Sequence, residues 1–149
     1  MDPDATTQAP RYVGFWKRVL AFLIDTLILV TVIAVIIFAI YGREYVHLAR
    51  RGETALFDVI VQIVLPAVAA ILFWRYRGAT PGKMLISAKI VDAETLGPPS
   101  TGKLIGRYLA YLVSMIPFLL GFLWIAFDKR KQGWHDKLAG TVVVYDEDD

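Results

Sequence analysis

An apolar run of 22 residues, 19–40, constrains this chain most, because it is long enough to cross a bilayer. A helix that rises about 1.5 Å per residue reaches roughly 33 Å over this length, and a hydrocarbon core is about 30 Å thick. Asp25 interrupts the run, and Arg18 directly precedes it. An ionised carboxylate at membrane depth costs about 2.5–3.5 kcal/mol on insertion scales, so Asp25 must either pair or have a function.

The composition is typical of a small integral membrane protein. The 149 residues are 56% hydrophobic, with a net charge of +2, and the mean hydropathy is +0.52. A chain this apolar is not expected to be a soluble domain, and it is too short for a large transporter bundle. The absence of cysteine excludes disulfides, thiol nucleophiles and thiolate-bound metals, and two histidines are too few for a zinc site without added carboxylates. We therefore expect no metal and no cofactor.

Two further apolar stretches, residues 56–74 and 104–127, follow the first. The first two stretches predict spanning helices, and Pro66 predicts a kink in the second. Pro117 and Gly121 divide the third stretch into halves that are each too short to span. It predicts either one kinked crossing or a broken helix that enters and returns. The expected fold class is an all-α integral membrane protein with two spanning helices and a third, broken segment.

The distribution of lysine and arginine discriminates between these two arrangements of the third segment. A single crossing would leave nine basic residues on one side and seven on the other, whereas a returning segment leaves thirteen and three. Basic residues accumulate in cytoplasmic loops. The sequence therefore favours a returning segment in a multi-pass protein of the inner cell membrane, with the N-terminus, the second loop and the tail in the cytoplasm.

Two segments outside the apolar runs, residues 84–92 and 141–145, are rich in strand-forming residues. Two isolated strands are marginal in water, but paired on one membrane face they would satisfy each other. We therefore predict a small cytoplasmic β-pairing between them. The whole chain divides into a disordered tail (1–10), a single membrane domain (11–146) and an acidic C-terminal tail (147–149).

Arg18 and Asp25 lie on one face of the first helix, two turns or about 10 Å apart. Direct contact requires the Arg18 side chain to reach along the helix. Asp25 is instead expected to face the bundle interior and meet Gln62, a tail residue or the basic second loop. Two interpretations are kept: a structural ion pair or hydrogen bond that orients the helix, and a group that binds or moves a cation or proton.

Residues 78–83, Gly-Ala-Thr-Pro-Gly-Lys, resemble a phosphate loop but lack its spacing and its following serine or threonine. The segment instead predicts a turn at the membrane surface with Lys83 near lipid headgroups. In the basic tail, no Gly-x-Ser-x-Gly, His-Glu-x-x-His or paired-carboxylate arrangement accompanies the neighbours His135 and Asp136. We interpret that part of the tail as an interfacial turn that binds anionic lipid, and we predict no catalytic residues and no enzyme activity.

Taken in order along the chain, a series of motifs resembles the RDD family of membrane proteins. They are Gly14-Phe15-x-x-Arg18, Asp25, Thr80-Pro81-Gly82-Lys83, Arg107-Tyr108, and His135-Asp136-Lys-Leu-Ala-Gly-Thr141 followed by Val-Val-Val. The family is named after one arginine and two aspartates, and the resemblance places these at Arg18, Asp25 and Asp136. Asp128 is the alternative for the second aspartate. The resemblance covers residues 14–145.

The resemblance implies a transport role for unidentified ligands, with cation–proton exchange in some members, and no established enzyme activity. In the first of two hypotheses, an oligomer, or the chain with a partner, transports a cation or proton. Asp25 is then a titrating or cation-coordinating group, and Arg18 is its gatekeeper or counter-ion. In the second, the chain is a non-transporting membrane assembly or lipid-interaction module, in which Arg18, Asp25 and Asp136 are structural.

Four further residues are secondary candidates for ligand or ion binding: Gln62, Lys83, Arg107 and His135. The expected partners are anionic lipid headgroups at the basic cytoplasmic loops, together with further copies of the chain or a partner membrane protein. Nucleic acid is not an expected partner.

Overall fold

The computed structural model describes residues 9–115 and 120–146, and in these ranges the chain is mainly helical. Its helices are α1 (Phe15–Tyr41), α2 (Tyr45–Arg50), α3 (Ala55–Val59), α4 (Leu65–Arg77), α5 (Pro81–Leu85), α6 (Thr101–Met115), α7 (Leu120–Leu123) and α8 (Trp134–Ala139). Its strands are β1 (Ala88–Asp92) and β2 (Thr141–Tyr145). The predicted acidic tail and most of the predicted disordered tail lie outside the described residues.

Two helical segments within these ranges are long and apolar enough to cross a membrane, as the sequence predicts. The first, Phe15–Arg50, contains an 18-residue stretch with a mean hydropathy of 2.9, and the second, Ala55–Arg77, contains one with a mean of 2.5. Along α1, only Arg18 and Ala21 are buried. Most of its apolar side chains therefore face outward, which is the distribution expected of a helix surrounded by lipid.

A π-helical turn, Ile60–Val64, joins α3 to α4 and lies directly before Pro66. Proline has no N–H to donate to the preceding turn, and its ring crowds the carbonyl four residues earlier. A π turn widens the helix and accommodates both effects. The irregularity that the sequence predicts at Pro66 therefore takes the form of a wide turn ahead of it.

The two halves of the third apolar stretch pack side by side. A Cβ added to Gly121 would lie only 2.6 Å from the Cα of Ser114. In one straight helix, positions this far apart in sequence are separated by about 10 Å. The packing thus agrees with the broken segment favoured by the charge distribution. Pro117 itself lies outside the described residues.

Strands β1 and β2 pair antiparallel, with Ile90 opposite Val143. The N-terminal segment joins them, because Tyr12 forms a bridge with Val144. The N-terminal segment, the second loop and the tail consequently meet at one end of the long helices, as a returning third segment requires. The cytoplasmic location of that end stays a prediction.

The predicted β-pairing is confirmed for residues 88–92 and 141–145. The strand prediction is wrong over residues 84–87, because residues 84 and 85 belong to α5 and residues 86 and 87 form a turn. Pro81 stands in the first turn of α5, where its fixed φ and missing N–H favour a helix start. The short helix therefore extends to Leu85, into the segment for which the sequence predicts a strand.

The main buried cluster lies at the sheet end of the molecule, where β1 and β2 meet α4 and α6. Its fully or almost fully buried members are Val13, Trp74, Ala88, Ile90, Leu104 and Val143. The core is thus a compact layer at the ends of the long helices, and the charged residues predicted from the sequence lie beside it.

Candidate functional site

Asp25 caps a short helix that packs against its own helix. Its carboxylate accepts hydrogen bonds from the Thr80 hydroxyl at 2.5 Å and from the Gly82 N–H at 2.7 Å. The first N–H groups of α5 have no partner within the helix, and Thr80, its N-cap residue, makes no side-chain cap of its own. Asp25 therefore supplies, from α1, the acceptor that an N-cap side chain normally provides.

The close packing of α5 on α1 depends on Gly82. A Cβ at this position would lie 2.1 Å from the carbonyl oxygen of Ala21. No real Cβ is accommodated at such a distance from a backbone atom, so only glycine allows the two helices to approach. The sequence predicts three possible partners for Asp25, and the contacts with Thr80 and Gly82 confirm one of them, the second loop.

Gln62 does not meet Asp25, and that expected contact is wrong. Its side-chain amide donates to Asp58 at 3.0 Å and to the Tyr45 hydroxyl at 3.1 Å. These residues cluster near the loop that joins the two long helices, whereas α5 holds Asp25 at the sheet end. The amide group of Gln62 is thus part of a separate polar cluster.

Asp136 is the centre of a buried charged network. Its Oδ2 lies 2.8 Å from Nη1 of Arg18 and accepts the Gly133 N–H at 2.8 Å. Its Oδ1 accepts a hydrogen bond from Nη1 of Arg107. Arg18 is 8% exposed, and Arg107 and Asp136 are 0% exposed. Both carboxylate oxygens are therefore hydrogen-bonded, as a buried ion pair requires.

The two guanidinium groups decide the ionisation of Asp136. Burial alone would raise the pKa of this carboxyl, but Arg107 and Arg18 outweigh burial and hold the pKa well below its usual range. Arg18 also donates to the Lys131 carbonyl at 2.9 Å, and Arg107 to the Thr141 hydroxyl at 2.8 Å. The network thus ties α1 and α6 to the tail.

His135 belongs to the same network as a neutral acceptor. Its Nε2 lies 2.9 Å from Nη2 of Arg18. Because a guanidinium can only donate, this nitrogen must accept, which leaves the ring proton on Nδ1. Nδ1 lies 3.2 Å from Oγ of Ser114, which also accepts the His135 N–H at 3.0 Å. Burial, reinforced by Arg107, holds the pKa of His135 well below 6.5.

The predicted interfacial turn in the tail is wrong at His135 and Asp136, because both side chains are 0% exposed. They belong to α8, whose first turn packs very closely on its neighbours. A Cβ added to Gly133 would lie 2.9 Å from the Gly121 carbonyl oxygen. Glycine at position 133 lets the start of α8 pack closely against Gly121, so that the His135 and Asp136 side chains reach Arg18.

Lys83 is also inside the layer, 8% exposed, so its predicted position among headgroups is wrong. Helix α5 folds onto α1 and turns the side chain inward. Burial lowers the pKa of Lys83, and the positive charges of Arg107 on α6 and Arg18 on α1 lower it further, whereas Asp25 raises it. All of the predicted site residues except Gln62 are thereby brought into one region.

The sequence analysis missed the polar partners of this region. Thr80 precedes Pro81, a helix-start pattern that could have revealed its position at the end of α5. Ser114 is a polar side chain in an apolar helix, and such a group needs a buried partner. Thr141 and Tyr111 carry no comparable signal, because a strand threonine and a helical tyrosine are ordinary residues of those elements.

The arrangement is built to hold elements together. In residues 9–115 and 120–146, no group of three or more histidine, aspartate or glutamate side chains is placed to hold a metal ion. The guanidinium of Arg18, the carboxylate of Asp136 and the neutral imidazole of His135 are hydrogen-bonded within this network. Such a network fixes geometry, and its cost of burial is met by mutual hydrogen bonding.

Comparison with known proteins agrees with the motifs. The model of the RDD family matches residues 12–140. An uncharacterised protein of Rickettsia prowazekii is 40% identical over 104 residues, which are 68% of this chain and 58% of that protein. YxaI of Bacillus subtilis is 33% identical over 147 residues, covering 89% of this chain and 96% of its own. The membrane protein YteJ of the same bacterium is 27% identical over 142 residues, covering 91% and 82%.

The chain therefore spans a little over half of the Rickettsia protein and nearly all of YxaI. No solved structure matches it. The family match contains every charged residue of the network, from Arg18 to Asp136. On these grounds the chain is a small membrane protein that belongs to the RDD family.

Proposed function

We propose that this chain is a non-transporting membrane assembly and lipid-interaction module in which Arg18, Asp25 and Asp136 are structural. The main support for this proposal is that the protein's own donors satisfy both carboxylates. Each oxygen of Asp25 and of Asp136 accepts a hydrogen bond from the protein. A carboxylate that moves a cation or proton must instead exchange partners with water or the ion. In this proposal the chain is not an enzyme.

The first role of the charged residues is to fasten the compact layer onto α1. Arg18 binds the tail, and Asp25 binds the start of α5. Removing one partner of a buried pair costs about 3–5 kcal/mol, because the other charge stays buried without compensation. The layer is therefore held at a fixed angle to a helix that otherwise contributes few buried side chains.

The exposed rim of the layer supports the lipid interaction. Trp16 and Tyr76 are each 78% exposed, and Phe127 is 83% exposed. Exposed basic residues lie beside them in the sequence, namely Lys17, Arg75, Arg77 and Lys129. Aromatic rings favour the membrane interface, and each basic residue near an anionic surface contributes about 1 kcal/mol. The rim thus has the chemistry of a surface that binds anionic headgroups.

The exposed faces of the long helices support an assembly of several copies. Arg18 and Ala21 are the buried residues of α1, and both lie at its sheet end. Beyond Asp25, most of the apolar side chains of α1 are exposed and can contact lipid or a second copy. In a membrane, helices associate through such outward faces by close packing and polar contacts.

Proteoliposomes test the proposal against cation or proton transport. The chain is reconstituted with an internal pH-sensitive dye, and a sodium or potassium gradient is imposed. We expect no proton flux above that of empty liposomes, together with a lower unfolding temperature for Asp25→Asn. Glu44→Gln, an exposed carboxylate, is the matched control. A cation-dependent proton flux that Asp25→Asn abolishes in folded protein would overturn the proposal.

The assembly and lipid parts are tested separately. In native mass spectrometry of the detergent-purified protein, we expect to detect an oligomer of the chain. We also expect it to retain anionic phospholipid in preference to zwitterionic phospholipid. A strictly monomeric protein without lipid preference would contradict both parts. Arg75→Gln combined with Arg77→Gln should reduce the anionic lipid retained while leaving the unfolding temperature unchanged.

A further inference from the structure

A cleft lies where the start of α1 meets the tail. Its volume is about 370 Å³. It is lined by residues 14–17 at the start of α1, by Ala126 and Lys131 in the segment before α8, and by Tyr145 at the end of β2. Sites for small ligands begin at about 300 Å³, so the cleft is large enough to hold a small polar group.

Two ammonium groups border this cleft. Nζ of Lys17 lies 4.8 Å from the centre of the Tyr145 ring, and Nζ of Lys131 donates to the Ala126 carbonyl at 3.4 Å. The ring and the carbonyl both belong to residues that line the cleft. They attract the ammonium groups but carry no net charge. None of the described residues that line the cleft is acidic, so both positive charges remain without a counter-charge among them.

Two carboxylates are close to the cleft in sequence, and each pairs with another lysine. Asp128 lies 2.8 Å from Nζ of Lys137, and Asp146 lies 3.2 Å from Nζ of Lys89. The guanidinium carbon of Arg11 lies 5.1 Å from the centre of the tyrosine ring in the cleft. The surroundings therefore add to the positive charge of the cleft.

The buried network holds the two sides of the cleft in place. Arg18 directly follows Lys17, and its Nη1 donates to the Lys131 carbonyl at 2.9 Å. Lys131 has a φ of +52°, in the left-handed region that a lysine rarely adopts. Such a conformation persists only where its surroundings enforce it. The backbone of Lys131 is therefore positioned against α1 before any ligand binds, which lowers the entropic cost of binding.

Aromatic rings stand beside the charged groups. Trp16 is 78% exposed, and its ring packs edge-on against Phe15 with ring centres 5.2 Å apart. Phe127, which follows a cleft residue, is 83% exposed. The 22-residue apolar run begins at Val19, two residues beyond the cleft. A bilayer around that run places the cleft at the membrane interface, where aromatic rings and basic residues meet lipid phosphates.

We propose that this cleft binds the headgroup of one anionic phospholipid, with its phosphate between the ammonium groups of Lys17 and Lys131. The phosphate oxygens are acceptors, and the ammonium groups are charged donors. The glycerol end of the acyl chains lies along Trp16 and Phe15. The site rests on the proposed function and deepens its lipid part, because it adds one defined lipid position to the basic rim.

The charge of the cleft discriminates against zwitterionic phospholipids. Their headgroups end in a positively charged amine or quaternary ammonium, which would enter a cleft that already has an excess of positive charge. An aromatic face can bind a quaternary ammonium, but the Tyr145 ring already contacts Lys17 and Arg11. Phosphatidylglycerol carries a neutral alcohol at this position, so its phosphate charge is available to balance the lysines.

Native mass spectrometry tests the site with the full-length chain, purified in an uncharged maltoside detergent and stripped of lipid. Phosphatidylglycerol and phosphatidylcholine of equal chain length are titrated separately. The fraction of the chain with one lipid bound gives the apparent dissociation constant. We expect the first phosphatidylglycerol to bind at a lower concentration than any later one and than phosphatidylcholine. An equal concentration of inorganic phosphate should not displace it, because free phosphate lacks the apolar contacts.

Lys17→Gln and Lys131→Gln each remove one ammonium group and keep a polar side chain. We expect binding of the first phosphatidylglycerol to weaken about fivefold in each variant and about 25-fold in the double variant, with phosphatidylcholine unaffected. Lys129→Gln, at an exposed lysine outside the cleft, is the matched control and should bind like the wild type. Lys17 is exposed, so Lys17→Gln decides the matter if Lys131→Gln does not fold.

Equal phosphatidylglycerol affinities of the wild type and the folded variants would overturn the site. Lipid binding would then belong to the rim as a whole, and the proposed function would stand. Displacement of the lipid by an equal concentration of inorganic phosphate would also overturn it, because the ligand would be a free anion. Equal binding of anionic and zwitterionic lipid by the wild type would contradict the site and the lipid part of the proposed function together.

Discussion

Arg18 of the first membrane helix and Asp136 of the tail form a buried ion pair with 2.8 Å between Nη1 and Oδ2. Arg107 donates to the other carboxylate oxygen, so Asp136 serves two arginines. Asp136→Asn keeps the shape of the side chain and removes its charge, which leaves both guanidinium groups buried without a counter-ion. We expect the free energy of unfolding to fall by about 3–5 kcal/mol.

The measurement is the unfolding midpoint of the chain in mixed micelles, monitored by circular dichroism. Glu44→Gln makes the same kind of change at an exposed position. It should leave the free energy of unfolding within about 0.5 kcal/mol of the wild-type value. Equal midpoints for Asp136→Asn and Glu44→Gln would show that the buried network does not hold the layer together.

Gly82→Ala should detach α5 from α1. The added Cβ would lie 2.1 Å from the Ala21 carbonyl oxygen, which is backbone and cannot move aside. Overpacking of this kind costs about 1–3 kcal/mol, and the Gly82 N–H would also lose its bond to Asp25. The unfolding midpoint is therefore expected to fall.

Gly106→Ala is the matched control for this prediction. Gly106 lies inside α6, and nothing is within 4 Å of a Cβ added there. Alanine in a helix interior stabilises by about 0.5–1 kcal/mol relative to glycine. The two variants should therefore change the midpoint in opposite directions, and a Gly82→Ala protein as stable as Gly106→Ala contradicts the packing argument.

His135 should make the stability depend on pH. Burial holds its pKa in the folded protein well below 6.5, so below this pH the unfolded chain takes up a proton that the folded chain does not. The contribution of His135 to stability is complete above about pH 6.5 and is lost progressively as the pH falls below that value. The unfolding free energy is expected to decline between about pH 6.5 and pH 5.

His135→Gln should remove this part of the pH dependence, because glutamine does not titrate. His47→Gln, at an exposed position in α2, should leave the dependence unchanged. The check is a series of unfolding midpoints over this pH range, and parallel curves for the wild type and His135→Gln would be evidence against a buried neutral histidine.

The sequence predicts the long helices and the strand pair well, because these features depend on local properties. A run of 22 apolar residues, 19–40, fits the thickness of a bilayer whatever its surroundings. Likewise, Thr141 is followed by three valines, and these β-branched residues favour a strand. The ordered charged motifs were sufficient to identify the family.

The contacts of the charged residues were harder to predict, because they join distant parts of the chain. Asp25 and Thr80 are 55 positions apart, and a helix face shows only that a carboxylate needs a partner. The sequence predicts Lys83 near lipid headgroups, because the surrounding residues predict a turn at the membrane surface. Its burial follows from the docking of α5 through Gly82, which no local pattern encodes.

Lys103 should control the ionisation of Asp92 at the end of β1. The two side chains are hydrogen-bonded, and Lys103 is the main cause that lowers the pKa of Asp92 from 3.8 to about 2. Between these pH values the unfolded chain binds a proton that the folded chain does not, so the stabilising contribution of Asp92 is present above pH 3.8 and lost as the pH falls to about 2.

Lys103→Gln should therefore raise the pKa of Asp92 toward 3.8 without restoring it fully, because the N–H groups of Glu94 and Thr95 still donate to the carboxylate. The pKa is measured from the chemical shift of the carboxyl carbon in protein labelled at aspartate. Lys129→Gln removes an exposed lysine from another part of the chain and should leave this pKa at about 2. An unchanged Asp92 titration in Lys103→Gln would mean that the backbone donors, and not the ammonium group, set the acidity of this carboxyl.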